Sequence, residues 1–203
     1  ASKASAEIVF KSFFNSILKK NKKIKIATAR AGNVIGGGDW ASGRIVPDAI
    51  RAWAAGDCLE LRNPSATRPW QHVLEPLSGY LLLAARLSLD TQVSGECFNF
   101  GPDESASRSV LDLVDGLASR LPMSCEVRSV QATVSESGLL QLSSQKASHV
   151  LNWRPQLDFE ATLDWTSSWY QGFLADENVV GLMDEQLSKY SERVTLQDSW
   201  GAI

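Results

Sequence analysis

The segment Ala29-Arg30-Ala31-Gly32-Asn33-Val34-Ile35-Gly36-Gly37-Gly38-Asp39-Trp40 gathers glycines, an Asn, an Arg, an Asp and a Trp behind a strand-like run. Two chemistries suit such a loop. Gly36, Gly38 and Ala41 fit the G-x-G-x-x-A spacing, in which a glycine-rich turn lets backbone N–H groups approach a dinucleotide pyrophosphate. That use needs a strand running straight into the first Gly and a helix opening at once. Asn33 interrupts the approach, Asp39 would set a carboxylate near the phosphates, and Ser42-Gly43 and Pro47 break any helix opening at the loop. The residues weigh against a cofactor loop and toward one that meets a substrate.

Arginines supply the second chemistry. Arg30, Arg44, Arg62 and Arg68 all fall in expected loops or at element ends. A guanidinium binds phosphate through paired N–H donors, so two converging on one point suit a diphosphate. Arg68 stands out because it lies in Thr67-Arg68-Pro69-Trp70-Gln71-His72, a rigid and partly aromatic stretch fit for a pocket wall. Trp40 and Trp70 are the loop tryptophans suited to ligand contact, whereas Trp153, Trp165 and Trp169 read as packing residues. His72 could act as a general base. No Ser or Cys nucleophile motif accompanies it and the chain has no G-x-S-x-G. A hydrogen-bonded structural histidine fits better.

Composition bounds these readings. The 203 residues are 44% hydrophobic with a net charge of -3. A real core can form, and a general nucleic-acid binder is disfavoured. The run Lys19, Lys20, Lys22, Lys23, Lys25 is the one positive cluster in the sequence and reads as a solvated helix end and turn. Cys58, Cys97 and Cys125 form no C-x-x-C pair, and only His72 and His149 accompany them, so a zinc site is not expected. Free buried thiols in a reducing compartment are expected instead. With no secretory h-region and no apolar run long enough to span a bilayer, a cytoplasmic location is expected.

The elements that must position these residues follow from periodicity. Phe10, Phe13, Phe14, Ile17 and Leu18 recur at i, i+3, i+4, i+7, i+8 and mark an amphipathic helix ending near Asn21. Ile24 to Ala29 alternates as a strand. Helix, turn, strand is half of a βαβ unit, so a parallel sheet with members upstream of Ala1 is expected. Further on, the pattern predicts a helix from Ile45 to Ala55 ended by Gly56. Leu59 to Leu61 reads as a strand, followed by a turn at Arg62-Asn63-Pro64-Ser65. A helix opened by Pro76 would bury Leu77, Tyr80, Leu81, Ala84 and Leu87. Cys97 to Phe100 reads as a strand. A helix capped at Ser107 would bury Val110, Leu111, Val114 and Leu117. Then come a strand from Cys125 to Val130, a helix from Ser143 to Leu151, and one lined by Phe159, Leu163, Thr166, Trp169, Tyr170 and Phe173. A charged helical tail runs from Glu177 to about Val194.

Several of these segments carry a family resemblance. They are Ala1 to Glu7, Ala29 to Trp40, Arg44-Ile45-Val46-Pro47-Asp48, and above all Arg62 to Tyr80. Phe98 to Pro102 and Leu151 to Pro155 add weaker support. Together they resemble the C-terminal half of the extended short-chain dehydrogenase/reductases that act on nucleotide sugars, within them the CDP-glucose 4,6-dehydratase family. The resemblance implies an α/β fold: the C-terminal part of a Rossmann-type doubly wound sheet plus a smaller α/β substrate-binding domain. Residues 1–32 would be the last helix and strand of the NAD-binding domain, 33–175 mainly the substrate domain, and 176–203 a helical tail. Lys3 matches the Lys of the family's Tyr-x-x-x-Lys, whose Tyr would precede Ala1. Lys3 would hold the nicotinamide ribose and favour the ionised Tyr.

The resemblance also implies that Asn33 contacts substrate, that Arg44 and Arg68 grip the diphosphate, that Leu59, Glu60 and Leu61 lie beside the base, and that Glu136 lies near the nucleotide. The family commonly has His-Glu where this chain has Ser135-Glu136. The implied activity is that of a whole enzyme, a dimer or tetramer. NAD takes hydride from C4 of CDP-glucose, water leaves across C5 and C6, and hydride returns to C6, on the route to dideoxy sugars of surface polysaccharides. This chain alone would be inactive, and with an unpaired sheet edge it would associate or be marginally stable. A non-catalytic nucleotide-sugar binding module and another epimerase or reductase of the superfamily stay open as alternatives.

Overall fold

The computed structural model describes residues 2–21, 23–89, 92–103, 107–130 and 141–196. The first helix, α1, spans Ser2–Ser16, and the chain then makes a 3-10 turn over Leu18–Lys20. Its expected apolar stripe is half covered: α1 contains no fully buried residue, Phe10, Phe14 and Leu18 are half-buried, and Phe13 and Ile17 are exposed.

The strand after it starts later than its alternation predicts. β1 is Thr28–Ala31 and pairs in parallel with β6, Cys97–Phe100, with Thr28 opposite Cys97. Before Thr28 the facing segment is a turn rather than a strand. The Ile26 N–H donates to Ser94 Oγ at 3.2 Å, and Ile26 O accepts from the Gly95 N–H at 2.6 Å. One residue, Gly32, separates β1 from β2, Asn33–Ile35, which pairs in parallel with β5, Trp70–His72. Gln71 is buried, and its amide donates to Phe100 O at 2.9 Å, joining the two strand pairs. β3, Leu59–Leu61, pairs in parallel with β8, Val127–Ser129. β4, Thr67–Arg68, pairs antiparallel with β7, Arg108–Ser109.

Six more helices pack on these strands: α2 (Ile45–Ala54), α3 (Leu74–Leu89), α4 (Val110–Ala118), α5 (Gln145–Leu151), α6 (Phe159–Leu174) and α7 (Val179–Leu196). They bury two larger cores whose segments interleave along the chain, and a smaller third cluster at Leu157, Tyr190 and Val194. The first gathers Ile35, Ile50, Trp53, Leu113, Leu163 and Tyr170. The second gathers Leu82, Phe98, Phe100, Ala147, Leu151 and Trp153. Gly56, at φ +74, ends α2 as expected, since glycine enters the left-handed region without a Cβ penalty. The cap of α4 is Ser109 rather than Ser107. Its Oγ accepts the Asp112 N–H while the Asp112 carboxylate accepts the Ser109 N–H, both at 2.9 Å. This reciprocal cap sets the helix so that Leu113 is buried and Leu111 is exposed.

The largest departure concerns α3. The helix opens at Leu74, so Pro76 sits inside the first turn, where its missing N–H is not needed. Leu77 and Leu81 are 45% and 64% exposed, and the buried face is Glu75, Pro76, Gly79, Leu82 and Leu83. Gly79 explains the rotation, because only a residue without Cβ lets the helix lie against the Phe100 ring. Glu75 explains it from the other side. Although a carboxylate, it is 0% exposed. Its Oε1 accepts the Gln156 and Leu157 N–H groups at 2.9 and 2.7 Å, and its Oε2 accepts the Tyr190 hydroxyl at 3.0 Å. Ser78 Oγ lies 3.0 Å from the same hydroxyl and accepts the Trp153 indole N–H at 3.1 Å. The charged tail is therefore anchored by α7, through Tyr190 and Val194, which pack with Leu157.

Two outcomes test this packing. A Cβ on Gly79 would stand 2.2 Å from Phe100 Cδ1. Alanine gains about 1 kcal/mol of helix propensity over glycine, but overpacking a filled core costs up to about 3 kcal/mol. Gly79→Ala is expected to destabilise by about 2 kcal/mol in urea unfolding, and an unchanged or raised midpoint would refute the close contact. Burial raises the Glu75 carboxyl from its ordinary 4.5 to about 7, against its hydrogen bonds, which pull the other way. Below pH 4.5 both folded and unfolded chains hold the proton. Between 4.5 and 7 only the folded chain keeps it, so stability falls as pH rises, by on the order of 3 kcal/mol. Glu75→Gln keeps the shape and the acceptor oxygen. Its stability relative to the parent is expected to improve steadily across that window, and a constant difference would sink the assignment.

Candidate functional site

The glycine loop packs against α6. A Cβ on Gly37 would fall 2.0 Å from Trp169 Cγ, and one on Gly36 would fall 2.9 Å from Val73 Cγ1. Gly38 has φ +80. The Tyr170 hydroxyl donates to Asp39 O at 2.7 Å, and the Trp40 ring sits 5.3 Å from Tyr170 and 5.0 Å from Phe173. The Trp169 indole thus lies against Gly37 and Gly38, and Val73 against Gly36. Close packing accounts for these glycines without a dinucleotide. The loop holds Asn33 at the head of β2, half-buried and in register with Trp70.

Trp70 is a correction. It is buried, and its indole N–H donates to Arg108 O at 3.1 Å, so it is a packing residue and not a ligand contact. The bond has a consequence for Arg68, two residues upstream. Arg68 is half-buried and stands directly opposite Arg108 in the β4–β7 ladder. Cross-strand partners present their side chains on one face of the ladder, and like charges there are unfavourable. Arg68 Nη1 donates to Thr67 O at 2.9 Å, and Arg108 Nη1 donates to Ser107 O at 3.1 Å. The Arg108 guanidinium also lies 5.8 Å from the centre of the Phe159 ring. The register thus sets two arginines opposite each other, each guanidinium turned back onto the carbonyl of its preceding residue; two such cations on neighbouring strands are a chemistry suited to an oxyanion. Arg108 was missed in the sequence because no motif marks it; only strand register brings it to Arg68.

The other expected residues divide. Arg44 is the N-cap residue of α2 and pairs with Asp39 of the glycine loop at 3.3 Å, with most of its side chain in solvent. Leu59 and Leu61 are only 5% and 2% exposed and belong to the first core. Their side chains hold β3 in place, so a base beside β3 would meet its backbone or the exposed Glu60, which pairs with Arg128. Lys3 is exposed in the first turn of α1. Its position follows from Glu7, one turn later, which accepts Thr28 Oγ1 at 3.3 Å and pairs with Arg30 at 3.5 Å. At the far end of the helix Phe14 packs on Gly95. α1 therefore runs antiparallel to β1, and Lys3 stands at the end of β1 that leads into Asn33. Glu136 lies outside the described residues.

His72 is buried. Its Nδ1 accepts the Leu74 N–H at 3.4 Å and its ring meets the Trp165 ring at 5.6 Å. Burial pulls it down to about 4, so the imidazole is neutral at pH 7 and acts as a structural group. Cys58, Cys97 and Cys125 are free and half-buried rather than fully buried. Among the described residues no cluster of His, Cys, Asp or Glu could hold a metal ion, and no helix is long and apolar enough to cross a membrane.

Comparison with known proteins adds identity to this geometry. No family model matches the chain. It is 34% identical over 199 residues to the CDP-glucose 4,6-dehydratase of Salmonella typhimurium, across 96% of this chain and 55% of that protein. The chain thus spans about half the length of the curated relative it matches. Among solved structures, a dTDP-glucose 4,6-dehydratase from Streptomyces venezuelae with NAD and TYD bound superposes with a TM-score of 0.72 at 21% identity, over 88% of this chain and 52% of that one. A dTDP-glucose 4,6-dehydratase from Bacillus anthracis in complex with NAD gives 0.69 at 20% identity, over 84% and 50%. A UDP-glucose-4-epimerase from Stenotrophomonas maltophila gives 0.70 at 16% identity, over 83% and 54%. Over nearly all its length the chain is therefore a relative of CDP-glucose 4,6-dehydratase, matching the C-terminal half of that protein, and its fold is that of the corresponding part of Rossmann-type nucleotide-sugar dehydratases and epimerases.

Proposed function

We propose that this chain forms the nucleotide-sugar-binding half of an NAD-dependent CDP-glucose 4,6-dehydratase. In the complete enzyme CDP-glucose loses one water to give CDP-4-keto-6-deoxyglucose, a change that is redox-neutral overall. The observation that carries the reading is the placement of Arg68. It stands across the ladder from Arg108 and two residues before the strand residue paired with Asn33. A diphosphate gripped by the two guanidiniums would leave the sugar next to Asn33, whose amide can both donate to and accept from sugar hydroxyls. The grip acts through charge-assisted bonds, the stronger class of hydrogen bond.

Lys3 fits an NAD-binding role in two respects. It is an exposed cation, and it stands at the end of β1 that feeds Asn33. NAD, where bound, supplies and takes back a hydride. Lys3 would hold the ribose beside the nicotinamide, and its charge would favour the ionised form of a neighbouring phenol. The glycine loop is not needed for this, since close packing on Trp169 and Val73 accounts for its glycines.

Calorimetry separates the parts of this reading. CDP should bind the chain saturably. Arg68→Gln and Arg108→Gln should each weaken CDP by about 10- to 100-fold, the range expected when a charge-assisted hydrogen bond is lost. Cytidine, which lacks the diphosphate, should be indifferent to both. Absence of CDP binding at millimolar concentration, or equal losses for CDP and cytidine, would overturn the assignment of the two arginines.

A further inference from the structure

Two lysines of the basic run, Lys19 and Lys25, line a cavity. An open cavity of about 800 Å³ lies between the C-terminal end of α1 and the turn that precedes β6. Four lysines line it, each from a different segment: Lys11 from α1, Lys19 from the 3-10 turn, Lys25 from the link to β1, and Lys146 from α5. Among the described lining residues Glu96 is the one acid, so together they carry a net charge of +3 on a chain whose total is -3. Like charges converging from four segments oppose one another, and such a concave surface concentrates anions.

Two features make the cavity a formed site. Its rim is fixed by backbone. Gly95, at φ +88, donates to Ile26 O at 2.6 Å, and Ser94 Oγ accepts the Ile26 N–H at 3.2 Å. A Cβ on Gly95 would strike the Phe14 ring at 2.1 Å, so turn and helix are in direct contact. Two of the lysines are also positioned by the protein. Lys25 Nζ donates to Ser88 O at 2.9 Å, while Lys146 pairs with Glu96 and lies 5.0 Å from the centre of the Phe98 ring. Phe14, Leu18 and Ile24 give the cavity an apolar side.

We infer that this cavity binds a small polyphosphate-bearing molecule, at a site separate from the Arg68–Arg108 pair. Charge fixes the class. A di- or triphosphate group carries about as much negative charge as the wall carries positive, and Lys ammonium groups bind phosphate as point charges. The volume lies in the range of small-ligand pockets, about 300–1,000 Å³. A nucleic acid would need an extended basic stripe rather than a concavity, and the net charge of the chain disfavours it. The apolar side has room for a base or another flat moiety beside the phosphates.

The test uses tripolyphosphate as probe, in chain carrying Arg68→Gln so that the arginine site is weakened. The expected result is saturable calorimetric binding that falls as salt is raised, with the Gly95 and Glu96 amide resonances moving. Adding Lys11→Gln and Lys19→Gln should weaken it about tenfold or more and remove those shifts. Both lysines are exposed, so these changes leave the fold intact, which the unchanged remainder of the amide spectrum checks. In chain carrying only the two lysine changes, the CDP binding that Arg68→Gln and Arg108→Gln weaken should keep its parent strength, since those changes leave the arginine pair untouched. No binding of tripolyphosphate in low salt, or binding that ignores the lysine changes, would overturn the proposal whatever the fate of the arginine site.

Discussion

Glu75 is a carboxylate shut off from water, and the rest of the molecule is arranged around it. Left unpaired there, its charge would be prohibitive, so burial holds its proton on and three donors converge on its oxygens. Those donors come from far apart in sequence. The Gln156 and Leu157 amides belong to the segment that leads into α6, and Tyr190 belongs to α7. A single side chain therefore fixes α3, the approach to α6 and the last helix relative to one another. The consequence reaches the site through two short connections. α3 follows β5 with only Val73 between them, so fixing α3 fixes the strand downstream of Arg68. α6, anchored at its start, lays Trp169 over Gly37 and so shapes the loop that presents Asn33.

The glycine loop shows why spacing alone does not assign a phosphate site. Glycine permits the backbone to approach something closely; it does not say what. In a dinucleotide loop the neighbour is a pyrophosphate, and a helix N-terminus supplies the charge. Here the neighbour is an indole ring, and the next helix, α2, begins only at Ile45, after Arg44 has already turned back to Asp39. The glycines serve a join between the two strand pairs and α6. That join places Asn33 just beyond the end of β1, the region where open α/β sheets bind ligands.

The legible parts of the chain were those whose signal is local. Gly56 stopping α2, Leu59–Leu61 as a strand, and the buried face of α6 follow from turn chemistry and periodicity. α3 was illegible because it is apolar almost all round, so hydropathy could not choose a face. The choice was made by a glycine that admits Phe100 and by a glutamate that finds distant donors. The same reason hid Arg108. Its neighbour is set by the register of two-residue strands, which no window of sequence encodes. Leu59 and Leu61 illustrate the opposite error. Their positions along the chain match a base-binding segment, but alternation in a strand sends both to the core and leaves Glu60 outward.

Net charge misleads in a similar way. A chain at -3 looks unsuited to an anionic ligand. Electrostatic attraction, however, is set by charges within about one Debye length, roughly 8 Å at physiological salt. Within that distance strand register sets Arg68 opposite Arg108, two cations on neighbouring strands whatever the total charge of the chain. An anion bound beside both would meet two positive charges at once, and carboxylates beyond a Debye length would do little to oppose it. Attraction at a surface is thus decided by the charges beside it, and a net charge of -3 does not exclude an anionic ligand.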